Sequence, residues 1–166
     1  MSAPYFGKYR GVVTDNKDPF FQGRVVAKVR DLGDKEFGWA MACVPFAGKG
    51  SGFFAIPDVG VGVWIEFEHG DPERPVWSGC WWGAASDPPP EVLVPPYQKV
   101  MIKTFGGNSI TLDDSPGTAG ILLQTSLGQM ISLNSQGILI SNGQGATISL
   151  SGSVVSINNG ALNVLL

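Results

Sequence analysis

The residue types that perform chemistry are sparse in this chain, and each sits in a context that argues against catalysis. His69 is the single histidine, within His69-Gly70-Asp71-Pro72. A catalytic imidazole needs a nucleophile or acid in reach, whereas Gly and Asp-Pro neighbours spell a tight reversal. Glu66 and Glu68 are two apart on a strand pattern, a spacing that a hydrolytic carboxylate pair could use. Acids alternating with an apolar stripe are, however, the solvated side of a half-buried strand. Asp113-Asp114 precede Ser115-Pro116-Gly117, a turn sequence, and lack the ligand spacing of a calcium loop. Cys43 and Cys80 have no zinc-knuckle spacing; their apolar surroundings predict buried, reduced thiols rather than a disulfide. The sequence therefore predicts no catalytic residue, no cofactor site and no metal site.

Aromatic stacking is the remaining chemistry. Phe53, Phe54, Trp64, Trp77, Trp81 and Trp82 could form a platform for single-stranded nucleic acid, but that also needs a basic groove. The chain has 14 acids against 11 bases, a net charge of −3. Nucleic acid is excluded on that ground. These aromatics are expected at subunit contacts, where Trp and Phe are enriched; a sugar platform on a carbohydrate-binding adhesin is the alternative.

These residues are carried by a first half built of short strands. Tyr9–Val13 opens it, followed by the polar turn 15–19. Gly23–Arg30 alternates, with Val25, Ala27 and Val29 on one face and Arg24, Lys28 and Arg30 on the other. Residues 31–38 read as a charged loop. Trp39–Val44 is a third strand, 46–58 a long aromatic loop, and Val61–Glu68 a fourth strand with Val61, Val63, Ile65 and Phe67 inward. Val76–Trp82 is the fifth. Five short strands with Gly/Pro turns predict an OB-type barrel over 1–86. Pro88-Pro89-Pro90 and Pro95-Pro96 mark a stiff linker, 87–97.

The tail, 98–166, has no charged residue after Asp114. It repeats an apolar–x–apolar unit: Ile110/Leu112, Ile121/Leu123, Ile131/Leu133, Ile138/Ile140, Ile148/Leu150, Val155/Ile157 and Leu162/Val164. Residues two apart share one face of a strand, and the intervening Thr111, Leu122, Ser132, Leu139, Ser149, Ser156 and Asn163 are expected to face water. Two apolar residues per strand cannot enclose a core alone. The prediction is an all-β chain whose tail winds with two sister chains into an intertwined triple-stranded β-helix needle, each strand pairing with neighbouring chains and the apolar pairs forming the trimer core. A single-chain solenoid or half-sandwich is the alternative. Three copies of the end, Leu165-Leu166, would make a blunt apolar tip that needs a partner.

The motifs "GR" at 23–24, "IP-x-VG-x-x-V" at 56–63 and "F-E-x-GDP-x-x-P-V-x-x-G" at 67–79 resemble the OB domain of contractile-tail spike proteins. That family includes phage baseplate assembly protein V and the valine-glycine-repeat (VgrG) spikes of type VI secretion. "KTFGGNSITLDDSPG" (103–117) and "TSLGQMISLNSQGILIS" (125–141) are similar to the start of the family's β-helix. The resemblance spans about 7–158. It implies a non-enzymatic central spike of a phage tail baseplate that pierces the host outer membrane. It further implies a hub protein bound at the OB end and a PAAR-type tip protein at the other; an injection-system spike or a tail adhesin is the alternative. The linker leaves no room for the lysozyme domain of some members, and the tail lacks the His-x-His iron apex of others. The N-terminal residues hold no apolar signal run, so synthesis in a bacterial cytoplasm and residence at the virion tail tip are expected.

Overall fold

A computed structural model describes residues 4–117 and 119–165. They divide into two compact units, Met1–Asp87 and Pro88–Leu166. There is no α-helix among the described residues; three single 3-10 turns are the only helical elements there.

In the first unit, strands β1 (Tyr9–Asp15), β2 (Val25–Val29), β3 (Lys35–Ala42), β6 (Gly62–Phe67) and β7 (Pro75–Trp81) close into a barrel in the order β1-β2-β3-β7-β6. β1 serves two neighbours, pairing with β2 and with β6. Only β3 and β7 run parallel. A two-residue ribbon, β4 (Ala47–Gly48) and β5 (Ser51–Gly52), decorates the β3–β6 loop. The core is Val13, Val25, Ala27, Val29, Ala40, Val63, Ile65, Phe67 and Trp77, each burial contributing roughly 1.5–3 kcal/mol for the larger side chains. Gly11 faces this core, where a Cβ would lie 2.9 Å from Ile65 Cγ1. Tyr5, Tyr9, Phe37 and Phe67 close one end with ring centroids 4.9–6.1 Å apart.

Three readings of this half are corrected. Residues 35–38 are not loop: β3 starts at Lys35, and Phe37 packs on the core. A register shift against β2 breaks the alternation there, with Gly38 at φ 86°, so the strand does not read as period two. Cys43 and Cys80 are free but exposed, not buried. Ala42, beside Cys43, packs against the core in its place, and the shift between β6 and β7 separates Cys80, opposite Val63, from the buried Trp77. Arg24 is not solvated either: its side chain is 14% exposed and held by Asp18.

In the second unit, β8 (Lys99–Lys103), β9 (Ser109–Asp113), β10 (Gly120–Gln124), β11 (Met130–Asn134), β12 (Gly137–Ser141), β13 (Thr147–Ser151), β14 (Val154–Ile157) and β15 (Leu162–Leu165) form one sheet in sequence order. Every neighbour pair is antiparallel. Pairing expected between chains is thus found within the chain, because short Gly/Asn turns return each strand beside the last. Gly137 (φ 132°) sits so close to β13 that a Cβ would lie 1.9 Å from the Leu150 carbonyl oxygen. Leu166 lies outside the described residues, and Leu165 is described through its backbone pairing with Val154.

Candidate functional site

The meander register lines the apolar pairs into two columns of eight, one residue per strand. The first column is Ile102, Ile110, Leu123, Ile131, Ile140, Ile148, Ile157 and Leu162. The second is Val100, Leu112, Ile121, Leu133, Ile138, Leu150, Val155 and Val164. All seven pairs named from the sequence fall on this one face. Val100 and Ile102 were missed, although Lys99-Val100-Met101-Ile102-Lys103 carries the same unit; its flanking lysines hid it.

This face is uncovered. Ile131 is 40% exposed, Leu133 37% and Val100 67%, with most of the remaining column residues between those values. A hollow of about 570 Å³ opens on it beside Ile102, Ile110, Leu123, Ile131 and Ile140. An apolar strip of this length is unlike the surface of a finished monomer. The opposite face carries Met101, Thr111, Leu122, Ser132, Leu139, Ser149 and Ser156. It is the more sheltered of the two: Thr111, expected to face water, is 7% exposed, and the others are half-buried. Near β8 the linker meets it, where Lys103 Nζ donates to Glu91 Oε1 at 2.6 Å and lowers the pKa of that carboxyl. Lys99 Nζ lies 3.3 Å from Asp113.

The groups first considered for chemistry do not converge. Glu66 is held by Lys8 Nζ and by Ser78 Oγ, which lower its pKa. Glu68 instead faces Arg74 at 3.5 Å. His69 lies exposed in the reversal with φ 54°. Asp113 accepts the Ser115 N–H at 2.9 Å, capping the turn, while the Asp114 N–H donates to the Gln98 carbonyl. Partial desolvation beside its neighbours raises the Cys80 thiol pKa, which lowers its nucleophilic fraction. Nor do the aromatics form a vacant platform. Trp77 is in the core and donates to the Gly23 carbonyl at 3.0 Å. The Arg10 guanidinium covers both Trp64 and Trp81, 5.6 and 5.2 Å from their rings. Trp82, Phe53 and Phe54 remain exposed.

One site escaped the sequence reading, which took 15–19 as a polar turn. The Asp18 carboxylate, 8% exposed, accepts N–H groups of Phe20, Gln22 and Arg24. Arg24 Nε and a terminal guanidinium nitrogen add bonds of 3.1 and 2.6 Å. Arg24 holds the Asp18 carboxyl far below the usual carboxylate range, with the three backbone donors adding to it. This pins the β1–β2 loop, and Arg24 in turn stacks on Phe20 at 4.8 Å.

With these geometries in hand, comparison with known proteins is specific. Residues 9–82 match the family described as type VI secretion system/phage-baseplate injector OB domain. Residues 99–163, which hold all but the last two residues of the columned sheet, match the phage baseplate V C-terminal trimerisation domain. The chain is 33% identical over 95 residues to a type VI secretion system spike protein, VgrG4b, of Pseudomonas aeruginosa, covering 54% of this chain and 12% of that one. It is 32% identical over 91 residues to the actin cross-linking toxin VgrG1 of Vibrio cholerae, covering 51% and 8% respectively. The chain thus spans only a small part of the length of these relatives.

Proposed function

Since the chain belongs to the VgrG and baseplate V spike proteins of injection systems, we propose that it acts mechanically, as the central spike of a contractile phage tail. In this reading three copies bring their columned faces together around one axis, and the resulting needle pierces the outer membrane without turnover. The observation that carries it is the eight-stranded sheet with its apolar face bare and no charge beyond Asp114. Covering an Ile or Leu that is about 40% exposed contributes roughly 0.6–1.2 kcal/mol, scaled from full burial. Summed over two columns in three chains, that outweighs an association cost of about 4–15 kcal/mol per step.

The outer face, uncharged beyond Asp114, supports the piercing role, because each charge carried to a bilayer centre costs roughly 2.5–3.5 kcal/mol. Replacing Ser132, Ser149 and Ser156 with Lys leaves the chain trimeric and lowers delivery by particles that carry the variant. Undiminished delivery sinks the piercing role, and a monomeric parent chain in sedimentation sinks the three-fold needle. The hub protein docks at the barrel and a PAAR-type tip protein caps the C-terminal end. A type VI spike is the second reading, favoured by the identity to VgrG4b; purification of the chain with intact phage particles decides against it.

A further inference from the structure

The two long edges of the columned sheet are built differently. One carries the connections 104–108, 125–129, 142–146 and 158–161; the other carries 114–119 and the two-residue turns 135–136 and 152–153. Three of the longer turns share one backbone design. The N–H of Thr104 donates to Asn108 O at 2.8 Å, that of Thr125 to Gln129 O at 2.9 Å, and that of Asn142 to Ala146 O at 3.1 Å. They also stack into a continuous crest. The Ser126 N–H donates to Asn108 Oδ1 at 3.2 Å, and a Cβ on Gly143 would lie 2.8 Å from the Gly128 carbonyl carbon. Phe105 and Leu127 project from this crest, 91% and 79% exposed. Large apolar side chains on a rigid crest are costly to leave in water.

Symmetry supplies their partner. In a closed ring of identical subunits with three-fold symmetry, every contact is head-to-tail: one edge of each copy meets the other edge of the next. With the columned faces turned to the axis, the crest lies away from it and does not meet a second crest. It meets the short-turn edge, where Leu133 and Ile138, 37% and 38% exposed, flank the turn 135–136. We propose that the crest of one copy laps the short-turn edge of the next, with Phe105 and Leu127 sealing the seam against water. This rests on the three-fold needle, and it assigns the residues that close it.

The test is site-directed cross-linking of the full chain in a Cys43→Ser, Cys80→Ser background, since both native thiols are exposed. Leu127→Cys is combined in turn with Ser135→Cys and with Gln136→Cys, and treated with a short bismaleimide at micromolar protein. The expected result is a covalent trimer as the main denaturing-gel band for at least one pair, with no cross-linked band for Leu127→Cys alone. Cross-linking of Leu127→Cys alone overturns the proposal, because it means crest meets crest. So does a native trimer in which neither pair cross-links. A monomeric native mass removes the three-fold needle, and this proposal with it.

Discussion

Ile131→Asp is the most discriminating perturbation of the columned face. Ile131 stands in the first column between Leu123 and Ile140 and is 40% exposed in the single chain. Assembly covers that remainder, so losing the side chain forfeits about 0.6–1.2 kcal/mol per copy. The carboxylate adds more, since an ion withdrawn from water costs several kcal/mol even after relaxation. Three copies bring three carboxylates to one level, where like charges repel. The penalty is of order 10 kcal/mol per trimer or above. Ile131→Val, by contrast, removes a single methylene, worth at most about 0.8 kcal/mol per copy even if wholly buried. Sedimentation equilibrium at micromolar concentration reads both. The Asp variant is expected as a monomer that keeps its β-sheet circular dichroism, because its strand hydrogen bonds are made within the chain; the Val variant is expected as a trimer. An Asp variant that remains trimeric refutes the placement of this column in an interior.

Two further predictions concern the backbone and the barrel. Gly137→Ala forces a side chain into a left-handed position, φ 132°, and against the Leu150 carbonyl. The backbone region alone costs roughly 1–3 kcal/mol, so thermal melting should show a clear loss, while Gly106→Ala, with nothing within 4 Å, should change little. Asp18→Asn keeps the shape and removes the charge. Because the folded carboxyl titrates far below its unfolded value of about 3.9, the wild-type advantage is complete above that pH and shrinks as the pH falls from there. The gap in denaturation midpoint between the two proteins should therefore be widest at pH 7, begin to narrow by pH 3 and close only at still lower pH; a gap independent of pH contradicts the ion pair's role.

Much of this architecture was legible because side-chain period and strand geometry coincide. Val25, Ala27 and Val29 alternate without interruption and are all buried, as are Val63, Ile65 and Phe67. Reading failed where a bulge changes parity, as at Phe37-Gly38 and across Ser78-Gly79, since one shifted residue turns a side chain to the other face. The seven tail pairs were legible as one face. Their pairing scheme was not, because a two-residue pattern reports which side is apolar but not whose strand lies alongside. Asp18 and Arg24, six apart in sequence, looked like turn and surface residues. Nothing in their types signals that a carboxylate will gather three amides and a guanidinium.

The sequential order of the tail sheet also bears on how such an object comes into being. Each strand's partner is the next one along, so closure requires loops of only two to six residues, for which the entropy lost is small and formation is fast. A newly made chain can thus raise its hydrogen-bond ladder by itself, one hairpin after another, as it leaves the ribosome. Encounter with sisters then joins surfaces already shaped, so the slow, concentration-dependent step comes last. Until it happens, the greasy side is the part of the molecule most exposed to aggregation.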